Sequence, residues 1–191
     1  MQEQRTTKRI LILGAPGTGK TTVLHRILQQ SGQRALVITP YDTEWCERDA
    51  NGEELFPLNM LEKQSDAFFS GIQRHVFTPK YSEERIRWMR RSCLVFDDCR
   101  AYITPRIEGP IRAMLMGSRQ YMNDMIFVAH CANDVPPSIP PFVTDLIMFR
   151  TEDNLTRKAL GFKNLQLLIR KQQEINRLSV TNPFVYQWIK L

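Results

Sequence analysis

Five short apolar runs punctuate the chain: Ile10 to Leu13, Ala35 to Ile38, Leu94 to Phe96, Ile126 to Ala129 and Leu146 to Phe149. None alternates with polar residues, which is the pattern of strands buried on both faces rather than on one. Segments of helical length separate most of them. Strands of this kind, alternating with helices, predict an α/β fold with a mainly parallel sheet and helices on both faces.

The segment after the first run carries Val23, Leu24, Ile27 and Leu28 at helical spacing, and Ser31-Gly32 ends it. Between Tyr41 and Arg91 the pattern is least regular; it predicts an extra strand around His75 to Phe77 and a helix over Ser82 to Arg91. Four prolines around Ser138-Ile139 predict an irregular connection, because proline supplies no backbone donor. A helical pattern returns from Asp153 to Ser179, interrupted around Gly161, and Phe184 to Leu191 predicts a final strand.

A length of 191 residues suits one domain with a sizeable core. The expected division is a polar leader over 1–8 followed by one domain over 9–191, with its core over 9–155 and a basic helical part over 153–191. Apolar residues at 42% and charged residues at 24% exclude a disordered or fibrous chain. Cys46, Cys93, Cys99 and Cys131 form no CxxC pair and no zinc spacing, so reduced thiols and a cytoplasmic setting are expected. No secretory signal and no run of about 18 apolar residues occurs, which predicts no membrane span. The net charge of +6 suits a polyanionic partner without naming one, and a merely soluble basic surface accounts for it equally.

The first apolar run opens directly into Gly14-Ala15-Pro16-Gly17-Thr18-Gly19-Lys20-Thr21, followed by Thr22 at the start of the predicted helix. This matches G-x-x-x-x-G-K-[ST] between a strand and a helix, the arrangement that converges backbone N–H groups on phosphates. ATP with Mg²⁺ is the expected ligand: Lys20 reaches the outer phosphates and the Thr21 hydroxyl ligates the metal. The run Leu94-Val95-Phe96 ends in Asp97-Asp98, where such a protein needs a carboxylate for the magnesium shell. Asp97 fits that role, and Asp98 is the candidate base that orients attacking water. An exposed turn or a helix cap is the alternative for Asp98.

His130 ends the fourth apolar run and would face the terminal phosphate if that strand lies between the first and third; otherwise it bonds neighbouring loops. Neither His25 nor His75 has such a placement, so both are expected to be structural. Arg119 precedes the fourth strand and is the candidate to reach a neighbour's site in trans, ahead of Arg100, Arg106 and Arg112. Basic residues also gather at Arg85, Arg87, Arg90 and Arg91 around Trp88. A further set, Arg157, Lys158, Lys163, Arg170, Lys171 and Arg177, interleaves with leucines. Either group tracks nucleic-acid phosphates or is simply a solvated face.

The order GAPGTGKTT, LVFDDCRAYI, SRQYMNDMIFVAH, a proline-rich loop and LIMFRTEDN resembles the FtsK/HerA superfamily, particularly its short viral genome-packaging ATPases. The likeness runs over most of residues 9 to 155. It implies a RecA-like P-loop NTPase domain with strand order 5-1-4-3-2 and a ring of identical subunits with ATP sites at their boundaries. DNA is expected to be bound with little regard to sequence, and a capsid or portal protein is the implied partner, in the host cytoplasm or on the virion. Lys20, Thr21, Asp97, Asp98 and His130 fall on the phosphate, magnesium, base and sensor positions, and Arg119 on the finger. Asp98 stands where the family more often has glutamate, and His130 where it more often has glutamine. A small-molecule or nucleotide kinase, and an ATP-binding assembly or secretion factor of phage morphogenesis, are the competing readings.

Overall fold

In the computed structural model, residues 6–103, 109–155, 161–162 and 164–191 are described. The apolar runs become β1 (Arg9–Leu13), β2 (Ala35–Thr39), β4 (Cys93–Phe96), β5 (Asp124–Ala129) and β6 (Asp145–Phe149). The irregular region adds β3 (Ile72–Val76), and the tail adds β7 (Tyr186–Lys190). All seven join one sheet in the order β3-β2-β4-β5-β1-β6-β7. Every pairing is parallel except β6 with β7. Its central five strands are the expected 5-1-4-3-2 order, flanked by one further strand on each edge.

Alternate residues of each strand face opposite layers, as the pleat requires. Ile10, Ile12, Val95, Ile126, Val128 and Ile147 pack with Val23, Leu24 and Leu28 of α1 (Lys20–Ser31). Leu11, Leu13, Leu94, Phe127 and Leu146 face the other layer, with Ile86 of α2 (Tyr81–Ile86), Met114 of α3 (Gly109–Tyr121) and Leu168 of α4 (Leu165–Leu178). Each fully buried side chain of this size contributes roughly 1.5–3 kcal/mol. The apolar runs therefore specify the sheet as its central layer.

The structure shortens α2 and leaves 151–155 outside any helix, while 156–160 and 163 lie outside the described residues. α2 ends at Ile86 rather than continuing to Arg91; a turn follows, and Arg91 has φ 51°, which a right-handed helix does not accommodate. At the other end Gly161 has φ 58°, and α4 begins only at Leu165. Residues 153–155 are not helical because they are tied down as a loop: Gln172 of α4 donates to the carbonyls of Thr151 and Asp153 at 3.1 and 2.8 Å. Among the described residues, no helix is long and apolar enough to cross a membrane. Cys46 is exposed, Cys131 partly so, and Cys93 and Cys99 are buried, and none of the four is in a disulfide.

His75 secures the irregular region to the sheet. Its ring is 2% exposed, its Nδ1 lies 2.7 Å from the Asn59 carbonyl and its Nε2 2.8 Å from the Ser82 hydroxyl. The neutral ring satisfies both, donating from Nδ1 and accepting at Nε2. Burial, and then Arg85, hold its pKa below the ordinary imidazole value. The neutral form is thus the one the fold prefers. This stabilisation is complete above the ordinary histidine pKa and is lost as pH falls towards the lowered folded value. His25, also depressed by burial, acts with the same sign. Thermal melts should show the wild-type midpoint falling between about pH 7.5 and pH 5, with a smaller fall in His75→Gln. An identical pH dependence in the variant would remove His75 from that transition.

Candidate functional site

A parallel sheet brings the C-terminal ends of its strands to one edge, where ligands of open α/β folds bind. The turn from β1 into α1 is fastened there on both sides. Gly14 N donates to the Ala129 carbonyl of β5 at 3.3 Å, and Ala15 N to the Arg150 carbonyl beyond β6 at 2.8 Å. Gly17 and Gly19 have φ of 74° and 92°, conformations that L side chains rarely adopt. Thr18 Oγ1 closes the loop on the Ala15 carbonyl at 2.8 Å. The loop ends at the N-terminus of α1, the positive end of the helix dipole.

Lys20 is 7% exposed, yet its ammonium has three partners. Nζ donates to the carbonyls of Gly14 at 2.8 Å and Ala15 at 3.0 Å, and lies 3.3 Å from His130 Nδ1. An ammonium has donors only, so Nδ1 is the acceptor and the proton of a neutral His130 sits on Nε2. That nitrogen is 3.9 Å from Asp98 Oδ1. Burial lowers the Lys20 pKa, while Asp97 and Asp98 raise it.

Asp97 continues β4 and is half-buried. Its Oδ2 accepts from the Trp45 indole at 2.7 Å and its Oδ1 from the Asp98 backbone N–H at 3.1 Å. Burial raises its pKa and those two hydrogen bonds oppose the rise. Asp98 takes a left-handed backbone conformation, φ 45° and ψ 54°, which turns the chain sharply off the strand. His130 follows β5, which lies between β1 and β4 as its expected role requires.

These groups line one pocket of about 430 Å³, together with Pro16, Gly17, Gly19, Thr21, Thr22, Glu44 and Phe184. Motif reading missed Glu44, Trp45 and Phe184, because the segments after β2 and α4 carry no recognisable spacing. Glu44 accepts a hydrogen bond from the hydroxyl of Thr39, the buried last residue of β2. Its pKa is raised by burial and by Asp97 and Asp98, against that hydrogen bond. Trp45 packs against His25 and Phe56 at 4.5 and 5.0 Å, which holds its N–H on Asp97 and gives His25 its structural place.

The arginines lie elsewhere. Arg119 is exposed on the last turn of α3, near enough to Arg9 at the start of β1 to depress that residue's pKa after burial has done so. It therefore sits at the edge of the sheet opposite its own phosphate loop. Arg100 pairs with Asp134, Arg112 is exposed on α3, and Arg106 lies outside the described residues. Of the basic cluster, Arg85 covers the Tyr81 ring at 3.5 Å and Arg90 the Tyr121 ring at 4.0 Å. In the later basic stretch Arg157, Lys158 and Lys163 lie outside the described residues. Lys171 pairs with Glu174 at 3.0 Å, and Arg170 and Arg177 are exposed.

The donor set fits a magnesium-bound nucleoside triphosphate. It offers a loop with positive-φ glycines, a lysine at its mouth, an exposed Thr21 and a carboxylate across from it. Among the described residues, no group of three or more His, Cys, Asp or Glu is arranged to hold a metal ion on its own. A metal here would be shared with phosphate oxygens.

No family model and no curated sequence matches the chain significantly. Solved structures do. The genome packaging NTPase B204 from Sulfolobus turreted icosahedral virus 2, in complex with AMPPCP, matches with a TM-score of 0.65 at 12% identity over 96% of this chain and 92% of that one. The same protein with sulfate matches with a TM-score of 0.64 at 13% identity, covering 96% of each chain. B204, the DNA-packaging ATPase from Sulfolobus turreted icosahedral virus, matches with a TM-score of 0.62 at 12% identity over 96% of this chain and 92% of that one. The resemblance read from the motif order is thus borne out in the fold, and at these identities it is the fold that is shared.

Gly14 tests how tightly the loop is seated. A Cβ at this position would lie 2.5 Å from Phe149 Cβ, a contact between two atoms that no side-chain rotation relieves. At Gly17 a Cβ would meet nothing within 4 Å, and only the positive φ opposes it. Gly14→Ala should cost about 1–3 kcal/mol by overpacking and Gly17→Ala about 1–2 kcal/mol by strain. Urea unfolding should place Gly14→Ala at least as low as Gly17→Ala, and a Gly14→Ala chain as stable as wild type would show that the loop is not clamped.

Proposed function

We propose that the chain is an ATP-hydrolysing motor that moves DNA, acting in viral genome packaging into a capsid. One observation carries this reading: the phosphate loop, Asp97, Asp98, Glu44 and His130 converge on a single pocket at the C-terminal edge of the sheet. The shared fold with packaging NTPases over 96% of the chain supports it.

In this reading Gly14 to Thr22 cradles the phosphates of ATP, and Lys20 exchanges its loop carbonyls for the outer phosphate oxygens. Thr21 and Asp97 would hold Mg²⁺, which when bound neutralises charge on the phosphates. Asp98 orients the attacking water and receives its proton at a carboxylate oxygen, with Glu44 on the same wall as a second acceptor. A carboxylate with a raised pKa is the better base near neutral pH, which suits Glu44 as that second acceptor. His130 links the two ends of the site, accepting from Lys20 and presenting Nε2–H towards Asp98.

Arg119 acts across a subunit boundary, since it lies at the wrong edge of the sheet to serve its own loop. The chain works as a ring in the host cytoplasm or on the virion, on DNA of any sequence, with a capsid or portal protein as its partner. The +6 charge and the exposed Arg170 and Arg177 suit phosphate contacts.

Wild-type protein should hydrolyse ATP, and long duplex DNA should accelerate it. DNA affinity should fall with salt at a log-log slope of about −0.9 per contacted phosphate. Lys20→Ala should lose binding and turnover, whereas Asp98→Asn should bind Mg-ATP and lose turnover by about 10² or more. Turnover indifferent to DNA, and no DNA binding at low salt with ATP, would sink the motor. A phosphorylated acceptor would favour a kinase, and tight ATP binding without turnover an assembly factor.

Arg119→Ala should cut turnover by about 10³ if it is a finger. Mixing it with Lys20→Ala subunits should restore activity wherever an intact arginine meets an intact loop. Mixed oligomers that stay inactive would overturn action in trans.

A further inference from the structure

Phe184 stands at the mouth of the phosphate pocket and has no role in the chemistry described above. It is 61% exposed, a large apolar ring left in solvent beside a polar cradle. Its position is nevertheless built. The turn Asn182–Val185 is closed by Val185 N donating to the Asn182 carbonyl at 3.2 Å, and Phe184 N donates to the Asn182 side chain at 3.1 Å. Pro183 stiffens the same turn. On its far side, β7 runs antiparallel to β6, with Tyr186 opposite Phe149 and their rings 5.1 Å apart. The chain is thereby fixed so that Phe184, two residues earlier, passes over the end of the loop. A Cβ built on Gly19 would lie 3.3 Å from Phe184 Cδ1.

We propose that Phe184 is the stacking platform for the nucleobase, on the reading that the loop binds a nucleoside triphosphate. The phosphates are committed to Gly14–Lys20, so the nucleoside must leave the loop past Thr21 and Thr22, which line the pocket with Phe184. A flat aromatic face satisfies a base by its π surface and makes no hydrogen bond to its edge. The platform therefore holds adenine and guanine alike, and the phosphate loop supplies the remaining affinity.

The test separates the base from the phosphates. Calorimetry would measure binding of ATP, GTP and inorganic tripolyphosphate, each with Mg²⁺, to wild type, Phe184→Ala and Phe184→Tyr. Phe184→Ala should weaken ATP and GTP by about fivefold to a hundredfold, the range that base–aromatic stacking gives. It should leave tripolyphosphate within about twofold, and Phe184→Tyr should retain wild-type affinities. Unchanged ATP affinity in Phe184→Ala would overturn the platform. So would an equal loss for tripolyphosphate, which would mean that the loop itself was disturbed, or a change in native mass without a change in affinity, which would assign the ring to a subunit contact. If wild type bound neither ATP nor tripolyphosphate, the phosphate-loop reading itself would fall, and that outcome is distinct from a wild type that binds both equally well and so needs no base platform.

Discussion

Gly14 is clasped between two strand ends, and the site depends on that clasp. The residue has β5 on one side, through Ala129, while the next residue has β6 on the other, through Arg150. No side chain fits where Gly14 passes Phe149. The loop therefore cannot drift relative to the strands that carry His130 and Phe149. β5 in turn pairs with β4 in register from Cys93↔Asp124 to Phe96↔Phe127. A displacement of β4 would break this ladder, so Asp97 and Asp98 stand at a fixed distance from Lys20. The geometry of the site is a property of the sheet, whose buried apolar strands hold it as one layer.

The five runs that announced the sheet were legible because strands covered on both faces need apolar residues at every position. The phosphate loop was legible for a different reason: its glycines and lysine must fall at fixed spacing. Edge strands have neither signature. β3 reads Ile-Gln-Arg-His-Val and β7 reads Tyr-Gln-Trp-Ile-Lys, mixed in polarity because an edge strand is partly solvated. α2 was overextended because a run with helical periodicity says nothing of the positive φ at Arg91, which tertiary contacts impose: Arg91 N donates to the Tyr121 carbonyl at 2.9 Å.

Within the site, the loop and the acids could be found from local spacing, but Glu44 and Trp45 could not. Glu44 depends on Thr39, and Trp45 on Asp97 more than fifty residues away. Trp45 is held by His25 of α1 and by Phe56, so the same aromatic group that packs the α1 layer also orients Asp97. The histidine that spacing left without a chemical role thus supports the site through one intermediary. A tryptophan that serves as both core and hydrogen-bond donor leaves no signature in periodicity, since its position there is that of any buried apolar residue.

The charges of the pocket are balanced by geometry rather than by number. Three carboxylates beside one buried lysine would repel one another strongly if all were ionised and equally placed. They are not equally placed. Asp97 receives two hydrogen bonds, which favour its anion against burial. Glu44 receives one from Thr39, and its burial together with the two aspartates favours its neutral form. Asp98, the carboxylate nearest His130, has an imidazole N–H in the direction of its charge. Burial raises both Asp97 and Glu44 above the ordinary carboxylate range, and what differs is the donor each meets: the Trp45 indole and the Asp98 N–H on Asp97, the Thr39 hydroxyl on Glu44. Lys20 enforces the arrangement: by occupying His130 Nδ1 it fixes the ring proton on Nε2, facing the acids. Moving Lys20 onto a phosphate would release Nδ1 and free the imidazole to change tautomer. The contents of the phosphate loop would thereby reach Asp98, 3.9 Å from Nε2, through a single histidine ring.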